Sequence, residues 1–320
     1  MFMSQFQAFE QMEYVAAVNT IEKLIVISLG LYILSSGYGL IELSYVYVFA
    51  GIVNVIISIL LVLVKVTKPI KKIRFSLLKT ITIESIPFGL NTLFGMMFFK
   101  IDTILLSILQ NETAVGIYNA AYNPLLAFGT VLTNMVVTAI FPVMSKYFIS
   151  SKESLEKFTL LLSKYMAIMG FPIAVGSFIL ADRFIELFYA GQYTDSIIAF
   201  QILALFIPIR LISSITGTLL TSINKQGVRT LSFFFSAIFN ILLNLVLIPS
   251  FSFVGASIAT VLSEIFLYCL LLYFIGKYYI KIKLHNFFIK PMVASIIMGV
   301  LILLLKEINL IVLIVLSTLI

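Results

Sequence analysis

Tryptophan is absent from this chain of 320 residues, and cysteine and histidine occur once each, as Cys269 and His285. One thiol excludes an intramolecular disulfide and a cysteine-based metal cluster. The single histidine stands in a basic stretch with no second imidazole, and reads as a solvated loop residue. Charge is scarce too: Asp, Glu, Lys and Arg make up 11% of the residues, against about 25% in soluble globular proteins. No Gly-x-x-x-x-Gly-Lys-Ser/Thr string occurs, which excludes a P-loop nucleotide motor within the chain.

What is present is apolar. Hydrophobic residues reach 61% and the mean hydropathy is +1.14, beyond the roughly 45–50% of a soluble chain. No soluble fold hides that much apolar surface, so this is a polytopic membrane protein. Met1 to Glu13 is polar and amphipathic, without the basic start of a signal peptide. Runs of about 20 apolar residues, enough to cross the hydrocarbon core, then recur ten times: 14–36, 43–64, 84–108, 114–142, 157–181, 196–222, 229–248, 254–275, 287–305 and 307–320. With tryptophan missing, the fifteen tyrosines are the expected interfacial aromatics.

The net charge of +7 is distributed by loop. Alternate connections hold Lys65, Lys68, Lys71, Lys72, Arg74 and Lys79; Lys146, Lys152 and Lys157; Lys225 and Arg229; and Lys277, Lys281, Lys283 and Lys290. The other connections hold only Arg183 and Lys306. A positive-inside bias of this kind predicts that the basic connections, and the N-terminus, are cytoplasmic. Segment 66–83 is the long basic connector, expected to lie on the membrane surface or to act as a hinge.

Within the spans, polar residues recur at helical spacing. Glu84, Asn91, Gly95 and Asp102 share one face of the third span, and Asn119, Asn123, Thr130, Asn134 and Thr138 one face of the fourth. Arg210, Ser214, Gly217, Thr221 and Asn224 line up in the sixth; Ser236, Asn240 and Asn244 in the seventh; Ser257, Thr260, Glu264 and Tyr268 in the eighth. Small hydroxylic residues at such positions join helices. Ionised groups at membrane depth are too costly to be idle, which singles out Lys100, Asp102, Arg210 and Glu264. Lys100 and Asp102, two apart, point to different faces. Asp102 is expected to find its partner on another helix, with Arg210 a candidate. Pro124 and Pro208 are deep enough in their spans to kink them.

Five strings carry a resemblance. They are FFKIDTILLSIL (98–109) followed by VGIYNAAY (115–122), AIFPVMSKYF (139–148), FNILLNLVLIPSFSFVGASIATVLSE (239–264) and FQAFEQMEYVAAVNTIEKLI (6–25). In these the chain resembles the polysaccharide-unit flippases of the multidrug/oligosaccharidyl-lipid/polysaccharide exporter superfamily, over essentially its whole length. The resemblance implies an all-α transmembrane bundle of fourteen helices in two six-helix lobes plus two more. The ten spans would be helices five to fourteen, and the first four helices would lack a counterpart in this chain. Residues 1–65 would be the remnant of an N-terminal lobe, 66–83 the cytoplasmic linker, 84–275 the C-terminal six-helix lobe and 276–320 two additional spans.

The implied function is translocation of a lipid-linked oligosaccharide across the cell membrane by alternating access, without enzymatic chemistry and without a cofactor. Lys100 and Arg210 would cradle sugar and pyrophosphate; Asp102 and Glu264 would hold those cations or couple to H+ or Na+. Asn119, Asn123, Asn134, Asn240 and Asn244 complete the expected cavity lining. Partners would be membrane lipids, the lipid-linked glycan, a coupling ion and a chain or segment supplying the remaining helices, but no nucleic acid. The alternatives are a multidrug/cation antiporter of the same superfamily, a truncated fragment without transport, and a membrane glycosyltransferase or ligase using outer-loop acids such as Asp182, Glu186 and Asp195.

Overall fold

The computed structural model describes residues 6, 12–65, 75–279 and 285–304. Ten helices are found among them: α1 (Met12–Ser35), α2 (Leu40–Lys65), α3 (Phe75–Leu109), α4 (Glu112–Ser150), α5 (Lys152–Ile179), α6 (Ala181–Tyr189), α7 (Ser196–Ala204), α8 (Phe206–Ser222), α9 (Gln226–Tyr278) and α10 (His285–Leu304). There is no strand among the described residues. The protein is therefore the all-α multi-pass membrane bundle that its composition requires. Nine of the ten expected spans coincide with helices or helix arms; the tenth, 307–320, lies outside the described residues. Residues 66–74 of the basic connector lie outside them too, as do Lys281, Lys283 and Lys306.

The chain divides into two compact units, Met1–Thr80 and Ile81–Ile320. In the first, α1 packs on α2. Two apolar helices need one polar clasp to fix their register, and Asn54 supplies it by donating from Nδ2 to the Glu22 carboxylate. The turn between them uses Gly37 at φ +81°, a conformation that glycine adopts without steric cost. The Gly39 amide is then capped by Glu42 at 3.0 Å.

In the second unit α8 is the inner helix, packed against α4, α5 and α9. Its sequence, FIPIRLISSITGTLLTS, is apolar on nearly every side, and Phe206, Ile207, Leu211, Ile212, Ile215 and Leu219 are fully buried. The buried hydroxyls among them return to the helix's own carbonyls, Thr216 to Ile212 at 3.1 Å and Thr218 to Ser214 at 2.7 Å. Such local bonds let small polar residues pack inside a bundle. Pro208 does not kink a continuous helix. The chain breaks at Leu205, between α7 and α8, and Pro208 occupies the first turn of α8, where no intrahelical partner is needed for the missing N–H. Gly170 of α5 packs directly on it; a Cβ there would come within 2.7 Å of the Pro208 Cα. Pro124 and Pro142 likewise lie inside α4, which continues past both.

The 53 residues of α9 would extend about 80 Å as a straight helix, more than twice a bilayer core of roughly 30 Å. They do not run straight. Ser252, at φ 49° and ψ −131°, reverses the chain, giving an arm on each side that matches spans 229–248 and 254–275. Gly255 permits the reversal, because a Cβ at that position would sit 2.4 Å from the Leu247 carbonyl oxygen. Gln110, at the end of α3, donates to the Ile248 carbonyl at 3.1 Å and ties the bend to α3. At the other edge α10 lies along α5.

Candidate functional site

Asp102 is 1% exposed, and α4 and both arms of α9 converge on it. Asn244, on the first arm of α9, donates from Nδ2 to Oδ1 at 2.6 Å. Thr260, on the second arm, is 3.0 Å from Oδ2. Tyr118 of α4 donates its hydroxyl to the same oxygen at 3.1 Å and lies 2.9 Å from the Thr260 hydroxyl. Asn240 sits one turn before Asn244 and accepts from it through its carbonyl (2.9 Å) and its Oδ1 (3.1 Å). Burying a carboxylate is expensive unless its oxygens are hydrogen-bonded, and here every donor comes from a different turn or helix.

The cage is oxygen-rich and not fully satisfied. Asn244 Oδ1 and Asn240 Nδ2 are buried without a partner. The reversal at Ser252 explains how residues 244 and 260 reach one carboxylate. The expectation that Asp102 finds its partner on another helix is met by three neutral side chains, and Arg210 is not among them.

Arg210 has its own surroundings. Its guanidinium carbon lies 4.2 Å from the centroid of the Phe99 ring, and Nη2 donates to Thr130 at 3.2 Å. Gly129 leaves the room: a Cβ there would be 3.5 Å from the arginine Cδ. Glu264, 2% exposed, accepts from Ser213 at 3.1 Å. Arg210 acts on that carboxylate through space without closing an ion pair on it. Tyr122 lies between the two clusters. It stacks on Tyr118 at 5.2 Å, and Asp102, Arg210 and Glu264 all act on it through space, the acids opposing the arginine.

The structure thus gathers Asp102, Asn240 and Asn244 in one cage and sets Arg210 near Glu264. Asn119 is half-buried and accepts from Thr103 at 3.2 Å. Lys100, Asn123 and Asn134 are exposed on the unit's surface. The side chain of Glu84 lies outside the described residues. Tyr118, Thr260 and Ser213 belong to these clusters although sequence spacing alone does not select them as site residues. Thr260 shares a stripe with Glu264, and Tyr118 stands in the string that carries the resemblance. Arg229, read from sequence as a loop cation, is half-buried inside α9, because that helix already begins at Gln226.

At the end of the unit where α4 begins, a cavity of about 420 Å³ is lined by Glu112, Thr113, Gly116, Gln192, Tyr193 and Asp195, among others. Among the described residues no three His, Cys, Asp or Glu side chains cluster as a metal site would require.

Residues 1–148 match the family model described as "Polysaccharide biosynthesis protein". Two curated relatives come from Haloferax volcanii. One is named a probable low-salt glycan biosynthesis flippase, Agl15, and is 24% identical over 78% of this chain and 52% of its own length. The other, named a probable flippase, AglR, is 28% identical over 54% of this chain and 37% of its own. The fold is that of a solved lipid II flippase, MurJ, in an inward closed conformation: TM-score 0.69 and 16% identity, over 94% of this chain and 64% of MurJ. The chain spans about half the length, or less, of the curated relatives it matches. The family model, the flippase-named relatives and the shared fold agree in making this chain similar to the polysaccharide flippases of the multidrug/oligosaccharidyl-lipid/polysaccharide exporter superfamily.

Proposed function

We propose that this chain serves to move a lipid-linked oligosaccharide across the cell membrane by alternating access, with its N-terminus and basic connections on the cytoplasmic side. The observation that carries the reading is the pairing of two unlike polar sites in one bundle, the caged Asp102 carboxylate and the Arg210 guanidinium held on Phe99 and Thr130. Arg210 and Lys100 are the cations for the substrate's phosphates, since a guanidinium fork matches phosphate oxygens. The exposed Lys100, Asn123 and Asn134 support the same idea. Such groups are too costly to turn toward lipid, and a wet cavity is the environment that suits them.

Asp102, Asn240, Asn244 and Thr260 form the seat of the coupling ion. A carboxylate with amide and hydroxyl oxygens suits a proton or a hard cation such as Na+. Occupying that seat neutralises Asp102 and changes what the Tyr118–Tyr122 pair and Arg210 experience.

The test is movement of a fluorescent lipid-diphosphate-linked sugar in proteoliposomes carrying the chain, with and without a Na+ or H+ gradient. Arg210→Ala and Lys100→Ala are each expected to slow movement about tenfold or more, as the loss of a charge-assisted contact implies, and Asp102→Asn to remove the gradient dependence. No movement by the wild-type chain, or unchanged movement by both cation variants, overturns the proposal.

A further inference from the structure

Arg229 repeats the construction of Arg210 at a second level of the same helix face. Its Nη1 donates to the Thr221 hydroxyl at 3.0 Å, and Thr221 donates onward to Gln226 at 2.7 Å. Its guanidinium carbon lies 6.0 Å from the Phe233 ring centroid. Gly217 of α8 makes its space, since a Cβ there would approach the arginine Nε to 3.2 Å. Arg210 likewise has a threonine on one Nη, a phenylalanine ring beneath it and a glycine beside it. In both arginines Nε is buried and lacks an acceptor. Among the described residues neither forms an ion pair with a carboxylate.

The two are connected along one stripe of α8. Arg210 is on that helix, and Gly217 and Thr221, which hold Arg229, lie seven and eleven positions further on the same face. Seven residues of helix separate the two levels by about 10 Å. Between them the rings are continuous: Phe99 packs on Phe98 at 5.0 Å, and Phe98 on Phe233 at 6.1 Å. Lys225, one turn before Arg229 at the N-terminus of α9, adds a third positive charge, and no side chain caps that terminus. A partly buried guanidinium without an acid retains an unmet demand for an anion. Its planar fork matches phosphate oxygens bidentately.

We propose that Arg229 is a second binding station for the diphosphate of a lipid-linked glycan, and that the anion steps along α8 between Arg229 and Arg210 during transfer. The inference rests on the reading of Arg210 as a substrate cation. On the orientation proposed above, Arg229 lies toward the cytoplasmic end and meets the substrate first.

The experiment uses the full chain in phosphatidylcholine nanodiscs, titrated with farnesyl diphosphate and, separately, prepared with added phosphatidylglycerol. Arg229→Gln and Arg210→Gln are each expected to weaken farnesyl diphosphate binding about fivefold or more, and the double variant further than either, on the scale of one charge-assisted contact. Gly217→Ala, which crowds the Arg229 guanidinium without changing charge, is expected to weaken it by about two- to threefold for the same reason. If Arg229→Gln binds like the wild type while Arg210→Gln is weakened, the second station fails and the Arg210 reading stands. If both bind like the wild type, the Arg210 reading itself fails. If Arg229→Gln loses only a competition between phosphatidylglycerol and the probe, the residue holds a bilayer headgroup and the station is overturned. Should Arg229→Gln not fold, Gly217→Ala decides, since unchanged binding there equally overturns the proposal.

Discussion

Two acids are buried to the same degree in the second unit, yet their surroundings are opposite. Asp102 is held by three neutral donors from α4 and both arms of α9, with no cation closing on it. Glu264 has one hydroxyl, from Ser213, and a guanidinium acting through space. On the proposed function, a carboxylate held only by neutral hydroxyl and amide donors is the one that takes up a positive charge from outside the protein. On the same proposal, one that already faces an arginine balances that arginine when its anion is absent. That difference is what the proposed division between an ion site and a counter-charge for a substrate group rests on.

The sharpest way to break this contrast is to remove each acid in turn. Asp102→Leu removes three hydrogen bonds to one buried carboxylate and leaves the donors their second partners, Thr260 for Tyr118, Ala256 for Thr260 and Asn240 for Asn244. At about 1 kcal/mol per bond, a loss of about 3 kcal/mol is expected in urea or thermal unfolding followed by circular dichroism. Glu264→Leu removes one such bond, Ser213 keeping its bond to the Arg210 carbonyl at 3.0 Å, and leaves Arg210 on Thr130 and Phe99; it is expected to cost less than half as much. Equal losses would mean that the two acids do the same structural work.

Next in size is Gly255→Ala. Its methyl group overlaps the Leu247 carbonyl, and overpacking of this kind costs about 1–3 kcal/mol. Because the bend brings Asn244 and Thr260 together, Na+-dependent protection from proteolysis, if Asp102 binds the ion, is expected to fall with stability in this variant. Gly51→Ala, whose new methyl group meets nothing within 4 Å, is the control: it is expected to leave the Na+ response unchanged and to raise stability by up to about 1 kcal/mol.

Thr260→Val is expected to cost about 1.5–3 kcal/mol, the range for a hydrogen bond to a charged group, and Ser213→Ala about 1 kcal/mol, since Glu264 retains Arg210 nearby. The contrast between the acids is broken if that order is reversed. The smallest expected effect is Thr103→Val, which removes the hydroxyl from Asn119 at about 0.6 kcal/mol, typical of polar contacts between membrane helices.

Much of this was legible in the sequence. Apolar runs located the helices because a bilayer imposes one length on all of them. The cost of burying a charge singled out Asp102 and Glu264 correctly as interior groups. Helical spacing put Asn240 and Asn244 on one face, and they meet Asp102 together. What spacing could not supply was the partner across helices. Tyr118 and Thr260 look like any interfacial tyrosine and any helix-packing threonine until the bend at Ser252 and the packing of α4 bring them to the carboxylate. Arg229 was hidden for a different reason. Apolar runs mark where a span crosses the hydrocarbon, whereas hydrogen bonding carries the helix a turn beyond, so a residue counted with the loop lies inside α9. The helix edges at Phe75 and Ser150 overrun the apolar spans in the same way.

The bend at Ser252 also has a consequence for synthesis. Thr260 and Asn244 are both made long after Asp102, separated from it by 158 and 142 residues. Tyr118 follows after only 16. During translation the acid therefore enters the membrane with one of its partners at hand and two still unmade. Once α9 emerges, its short reversal delivers both remaining ligands as one preformed hairpin, with a single loop closure to complete in place of two. The cage is thus finished only after α9 is made, and a chain halted before residue 244 leaves Asp102 with Tyr118 as its sole donor among the three.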